Sequence, residues 1–370
     1  MSSHPDVLII GGGVIGLTSA YFLAREGVAV AVIDQRDFGQ EASWAGAGIL
    51  PPGAPAPELA PYDALRAHSS QLFPTLSAEL RQRTGVDNGF LKCGGLEIVP
   101  MDSDADDEWH GAGVAYELVE GAALRRLEPQ VAPGIERAWL LPDMAQVRNP
   151  RHVKALLAGC AGLGVDLRPG CPCLGFAQQG DRVTALHTAA GPISAGRYLI
   201  AAGAWSDGLL APLGWRPGVR PVRGQIALLN TGAPQFRRVL CSGKRYLVPR
   251  ADGRVLVGST EEDVGFDKRT TAQAAGELLA FAQSLVPALG QAQLERCWAG
   301  LRPGSPDGLP FLGPVPGVDN VLVAAGHYRC GLQLSAATGL VLKEYLRSQP
   351  LTVPLDAFRL DRGGAVRSAP

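Results

Sequence analysis

Three side chains in this sequence have the chemistry to hold a small anion: Tyr246, Arg302 and Arg329. Arg302 lies in WAGLRPGSPDGLPFLG, where Trp298, Ala299, Gly300, Leu301 and Pro303 predict a buried setting. A buried guanidinium requires an anionic partner. Its planar fork grips a carboxylate with two parallel hydrogen bonds, which fixes orientation as well as adding energy. That partner is either the carboxylate of a ligand or an Asp or Glu of the chain. Arg329 poses the same question in AAGHYRCGLQLSAATG, where it stands between Tyr328 and Cys330 in a run of small and apolar residues. Tyr246 opens the β-rich run RYLVP. On residue type alone it reads either as a core-facing strand tyrosine or as a hydroxyl placed in a site.

The elements that must carry these residues begin with DVLIIGGGVIGLTSAYFLAREGVAVAVIDQ. Val7 to Ile10 is a short continuous apolar run of the kind that forms a buried parallel strand. Gly11-x-Gly13-x-x-Gly16 then opens a helix that runs through Val14 and Ile15, with Ile15, Ala20, Leu23 and Ala24 at helical spacing, and Gly27 ends it. A second strand, VAVAVID, closes on Asp34, followed by Gln35. Gly11 permits a tight turn, Gly13 the approach of a pyrophosphate to the helix N-terminus, and Gly16 close packing of helix on strand. Asp34 stands where a carboxylate accepts hydrogen bonds from ribose hydroxyls, which favours a free ribose over a 2′-phosphate. This pattern predicts a dinucleotide site and leaves NAD and FAD both open. Two later segments favour FAD: EASWAGAGIL, whose Ala45 to Gly48 would let backbone pass close to a ligand, and GRYLIAAGAWSDGL, a strand ending in a small-residue turn at Gly203.

The rest of the chain sets limits. At 370 residues it is long enough for two domains. Its net charge of −1, with 46% hydrophobic and 19% charged residues, has no basic patch or acidic tail, which disfavours nucleic acid as a partner. No apolar run reaches membrane-span length, and the first apolar stretch lacks the basic flank of a signal peptide. The seven cysteines are scattered, with one C-x-C pair at Cys171 and Cys173, which predicts reduced thiols in a cytoplasmic protein. The six histidines form no H-x-H or H-x-x-x-H pair, so no metal site is expected. KRYLVPRADGRVLVGST reads as a hairpin turning at Ala251-Asp252-Gly253. GGLEIVP and VRGQIALLN are further strands, and Ala64 to Arg83 and Thr271 to Leu285 are helices. An α/β fold is expected: a Rossmann-like parallel sheet with helices over 1–85, 146–218 and 298–370, and an antiparallel-sheet substrate domain over 86–145 and 219–297.

GGGVIGLTSAYFLA, EASWAGAGIL, AAGAWS, RYLVPRADGRVLVGSTEEDVGFD, WAGLRPGSPDGLPFLGP and AAGHYRCGLQLSAATG occur in an order that resembles the D-amino acid oxidase family of FAD enzymes, and within it the glycine oxidases associated with thiamine biosynthesis. The first motif is shared by many flavoproteins; the last three are more specific. The resemblance implies non-covalent FAD, a small amino acid substrate with oxygen as acceptor, hydrogen peroxide as product, and a homotetramer. It implies that Arg302 anchors the substrate carboxylate and that the Tyr246 hydroxyl contacts it over the flavin; Arg329, expected beside the flavin and opposite Arg302, is read as partnered by the substrate carboxylate, with the flavin's partial negative charge as a second partner. FAD contacts are implied for Gly11, Gly13, Val14, Ile15, Gly16, Asp34, Gln35, Ala42, Ser43, Ala47, Gly48, Ile49, Leu174 and Gly203. The closing segment His327, Tyr328, Arg329, Cys330, Gly331, Leu332 and Gln333 completes the set. The chain departs from the family pattern at Ile49, Glu261 and Cys330, which leaves glycine, sarcosine, D-alanine and D-proline open as substrates. Cys297 is read as a small buried hydrophobe in preference to a covalent flavin attachment. A D-amino acid or sarcosine dehydrogenase using another acceptor is the alternative.

Overall fold

A computed structural model describes residues 4–99, 109, 113–362 and 366–367. The parts of the expected domains at 1–3, 100–108, 110–112, 363–365 and 368–370 lie outside the described residues. The strand predicted at Val7–Ile10 forms with those bounds. It sits inside a six-stranded sheet in the order Phe311–Pro314, Val321–Ala325, Arg197–Ile200, Val7–Ile10, Val30–Ile33, Asp166–Arg168. Every neighbour pair is parallel except the edge pair Phe311–Pro314 with Val321–Ala325. Because side chains alternate across a strand, Val7 and Ile9 enter one core cluster while Leu8 and Ile10 enter another. That is why the run is apolar at every position. The first helix, Val14–Arg25, is buried from Val14 to Leu23, because it packs on the sheet beneath Asn149–Gly162 and Gly331–Leu346.

The second sheet has eight strands, in the order Gln293–Gly304, Arg220–Asn230, Arg254–Gly258, Arg245–Pro249, Val239–Ser242, Gly95–Ile98, Arg137–Leu141, Glu117–Glu120. It is antiparallel apart from the contact of Val239–Ser242 with Gly95–Ile98. The predicted hairpin is present, its turn closed by the N–H of Gly253 donating to the Arg250 carbonyl at 3.1 Å. The expected helices appear as Pro61–Thr84 and Ala272–Leu285, the latter capped by the Thr271 hydroxyl. The boundary expected between 297 and 298 falls inside the strand Gln293–Gly304.

Strand alternation divides the eight-stranded sheet into two faces. Leu247, Ala227, Leu229 and, half-buried, Cys297 pack under the helix Ala272–Leu285. On the other face lie Val248, Ile226, Tyr246 and Trp298, together with Ala47 and Ile49 from the segment that leaves the six-stranded sheet. Arg302, four residues from Trp298 on the same strand, shares its parity. Tyr246 and Arg302 thus reach one side of the sheet while Cys297 reaches the other.

Candidate functional site

The two sheets enclose a cavity of ≈ 420 Å³, a size typical of small-molecule and cofactor clefts. At one end are the glycine turn and Asp34; at the other are Tyr246, Arg302 and Arg329.

At the glycine end, Gly11 has φ +112°, and a Cβ there would lie 2.4 Å from the Ala201 carbonyl oxygen at the end of the adjacent strand. Only glycine fits that turn. Gly16 is off the cavity wall; a Cβ on it would strike the Gly11 carbonyl oxygen at 2.0 Å, so its contribution is the predicted close packing. Gly13, Val14 and Ile15 are on the wall. The Asp34 carboxylate accepts from the N–H of Gly12 at 2.8 Å and of Arg36 at 3.0 Å, which holds the turn and leaves lone pairs for ligand hydroxyls. Burial pushes its carboxyl above the ordinary aspartate value. Asp34 and Gln35 both face the cavity.

The short helix Ala42–Ala45 forms the next part of the wall and is pinned from three directions. Ser43 Oγ accepts from the Val14 N–H at 2.9 Å. Asn149 Nδ2 donates to the Ser43 carbonyl at 3.0 Å, and the Trp298 indole N–H donates to the Ala45 carbonyl at 2.9 Å. Ala42, Ser43, Ala47, Gly48 and Ile49 line the cavity, as do Gly203 and Trp205.

At the far end, Tyr246 is paired in register with Gly258, and its ring lies so close over that glycine that a Cβ would sit 2.4 Å from ring carbons. The Arg302 guanidinium lies in the same way over Gly224, where a Cβ would be 2.1 Å from Nη2. Its Nη1 donates to the Thr260 carbonyl at 3.1 Å and its Nη2 to Ser259 Oγ at 2.6 Å. Thr260 is fixed in turn, since its Oγ1 accepts from the Gln225 N–H at 2.9 Å and donates to Glu262, which pairs with Arg223. Among the described residues, no Asp or Glu stands within salt-bridge distance of Arg302. Burial, and Arg329 nearby, draw its pKa below the ordinary arginine value. A partner carboxylate from the chain, left open by the sequence, is therefore absent among the described residues.

Arg329 departs from expectation. Its sequence neighbours predict burial, yet the residue is exposed at the rim, where Nη2 donates to the Lys244 carbonyl at 2.7 Å and Nη1 lies 3.9 Å from Glu261. The apolar run around it is buried through Ala324 and Ala325, but the chain turns outward at Tyr328, whose φ is +48°. The cost of its charge is thus met by the chain and by water.

The closing segment contributes unevenly. His327, Tyr328, Arg329, Gly331 and Leu332 are on the wall. The His327 ring is turned into the protein, with Nε2 3.2 Å from Thr338 Oγ1, and burial lowers its pKa to about 3, which keeps it neutral. Cys330 is off the wall and packs beside Tyr62. Gln333 is also off it, because its side chain turns to donate to the Pro51 carbonyl at 2.7 Å. Leu174 projects into solvent, 64% exposed, while the preceding Cys171, Pro172 and Cys173 line the cavity. In all three the side chain points away from the cavity: motif position fixes the neighbourhood, whereas side-chain direction depends on local backbone. Sequence reasoning missed Asn149, Gly224, Ser259 and Trp205. Of these, only Trp205 carried a signal, as the residue next to the small-residue turn.

The cavity suits FAD. The Gly11 turn leaves room for backbone approach, Asp34 presents a carboxylate, and the N-terminus of the 16-residue helix Gly331–Leu346 meets the wall at Gly331 and Leu332. Among the described residues no cluster of His, Cys, Asp and Glu could hold a metal ion, and no helix is long and apolar enough to cross a membrane.

Comparison with known proteins agrees with this reading. The chain is 40% identical to a glycine oxidase of Pseudomonas putida over 353 residues, which is 94% of this chain and 96% of that protein. It is 33% identical to the hydrogen cyanide synthase subunit HcnC of Pseudomonas aeruginosa, over 96% of this chain and 95% of that one. The crystal structure of glycine oxidase from Geobacillus kaustophilus superposes with a TM-score of 0.92 at 32% identity, covering 97% of this chain and 99% of that one. Residues 6–345 match the model of the DAO family, the FAD dependent oxidoreductases, and the chain belongs to that family.

Proposed function

We propose that the protein oxidises glycine and other small amines, among them sarcosine and small D-amino acids, to the 2-oxo acid and ammonia or amine, with dioxygen as acceptor and hydrogen peroxide as product. The observation that carries this reading is Arg302: a half-buried guanidinium at the cavity end, seated on Gly224 and without a carboxylate partner among the described residues. The six-stranded sheet would hold FAD non-covalently and the eight-stranded sheet the substrate. Similarity to glycine oxidases supports glycine as substrate.

FAD, when bound, accepts the hydride of the substrate Cα and delivers its electrons to dioxygen. The chain's contribution is orientation. Arg302 would take the substrate carboxylate in a two-point grip, with the Tyr246 hydroxyl as a further donor and Arg329 at the rim. Ser259 and Thr260 keep the guanidinium from turning. Ile49, on the wall near Tyr246, would limit the substrate side chain. The amine reacts unprotonated, and loss of hydride gives an imine that water hydrolyses; with glycine the products are glyoxylate and ammonia. His327, held neutral, is unavailable as a cation for the carboxylate.

The test is the visible spectrum of the holoenzyme with glycine, sarcosine, D-alanine or D-proline. Bleaching without oxygen and peroxide with it are expected. Bleaching without peroxide would shift the reading to a dehydrogenase, and no bleaching by any of the four would overturn it. Arg302→Met should lower kcat/KM for glycine by roughly tenfold to more than a hundredfold, the range for a hydrogen bond to a charged group.

A further inference from the structure

Three chain segments meet at the rim beyond Arg302: the hairpin start at Lys244, the loop at Glu261, and the turn at Tyr328 and Arg329. Glu261 is their common partner. Its Oε1 lies 3.2 Å from Lys244 Nζ and its Oε2 lies 3.9 Å from Arg329 Nη1. Tyr328, Lys244 and Arg329 together hold its carboxyl below the ordinary glutamate value, so it is charged at neutral pH. Tyr328 and Arg329 both line the cavity at the end that Arg302 occupies. A substrate with one carboxylate is satisfied at Arg302. A substrate with a second anionic group would place it toward the rim, where the cations Lys244 and Arg329 already face Glu261.

We propose that Glu261 is a specificity-determining residue: a carboxylate of the chain that occupies the rim donors and so discriminates against amines bearing a second anionic group. This rests on the oxidase reading of the site. Glu261 touches no reacting atom, and its effect lies in which substrates bind. Its side chain is 34% exposed and that of Lys244 71%, so solvent screens the cluster and the expected effect is modest.

Four ligands test the idea in matched pairs. Sarcosine and iminodiacetate are both secondary amines that differ by one carboxylate; methoxyacetate and diglycolate are their non-oxidisable oxygen counterparts. With holoenzyme, Glu261→Gln should raise the diglycolate to methoxyacetate affinity ratio about fivefold, read by perturbation of the flavin spectrum, and raise the corresponding kcat/KM ratio through KM and not kcat. Lys244→Ala leaves the carbonyl that accepts from Arg329 in place but removes a rim cation, and it should move both ratios the other way. Binding ratios unchanged within twofold in Glu261→Gln would overturn the proposal, as would a rise in both variants, which would indicate simple loosening of the rim. Failure of the oxidase reading would be seen separately, as a flavin that glycine does not bleach while the two non-oxidisable acids remain measurable.

Discussion

Replacing Gly224 by alanine tests the physical account of how Arg302 is placed. The new Cβ would lie 2.1 Å from Nη2, 2.3 Å from Cζ and 2.4 Å from Nη1 of Arg302, against an ordinary contact of 3.4 Å or more. The guanidinium must therefore retreat by more than about 1 Å, and displacement on that scale costs about a hundredfold in rate when it misplaces a positioning group. Retreat also breaks the hydrogen bonds to Ser259 Oγ and the Thr260 carbonyl, each worth about 1.5–3 kcal/mol for a charged donor. We expect kcat/KM for glycine to fall about a hundredfold, with a correctly folded holoenzyme as judged by Tm and flavin content. A double-mutant cycle separates this route from a general disturbance of the cavity. In an Arg302→Met background the alanine has no guanidinium to displace, so its further effect should be less than about twofold. An additive loss in the double variant, or a loss below threefold in the single one, would refute the reasoning.

Two further outcomes follow from the geometry. Arg329→Ala removes a rim cation that donates to the Lys244 carbonyl and lies 3.9 Å from Glu261, so steady-state kinetics should show a rise in KM for glycine of no more than about fivefold, with FAD retained. His152 is buried, and burial lowers its pKa from 6.5 to about 4. Because the unfolded chain takes up a proton that the folded one refuses, the associated stability is whole above pH 6.5 and is lost as pH falls toward 4, by about 3 kcal/mol. Denaturant titrations across that range should show a shallower decline for His152→Gln than for the parent chain, and parallel curves would refute the assignment.

Much of the fold was legible because it rests on local periodicity and on residues with one physical use. Val7–Ile10 is apolar at every position because both faces of its sheet are covered, and the helix expected over Thr271 to Leu285 forms at Ala272–Leu285. Gly11 could be read from sequence because a positive φ at the strand end admits no other residue. The burial of Arg329 was misjudged because neighbour composition is a proxy for environment, and one outward turn at Tyr328 makes the proxy fail. Leu174 and Gln333 show the same limit: each lies beside the cavity in sequence, but its side chain turns away from it.

The sequence by itself determined the main strands and helices, the dinucleotide turn and the candidate residue Arg302, since each depends on a pattern within a dozen or so neighbours, while Tyr246 became a candidate through the family resemblance. Only the tertiary structure decided what those residues face. Gly224 sits beneath Arg302 because Arg220–Asn230 pairs with Gln293–Gly304 across some eighty residues of chain. Glu261 meets Lys244, Tyr328 and Arg329 because three distant segments converge at one rim. Contacts of that kind are set by strand register and packing, which no local pattern encodes.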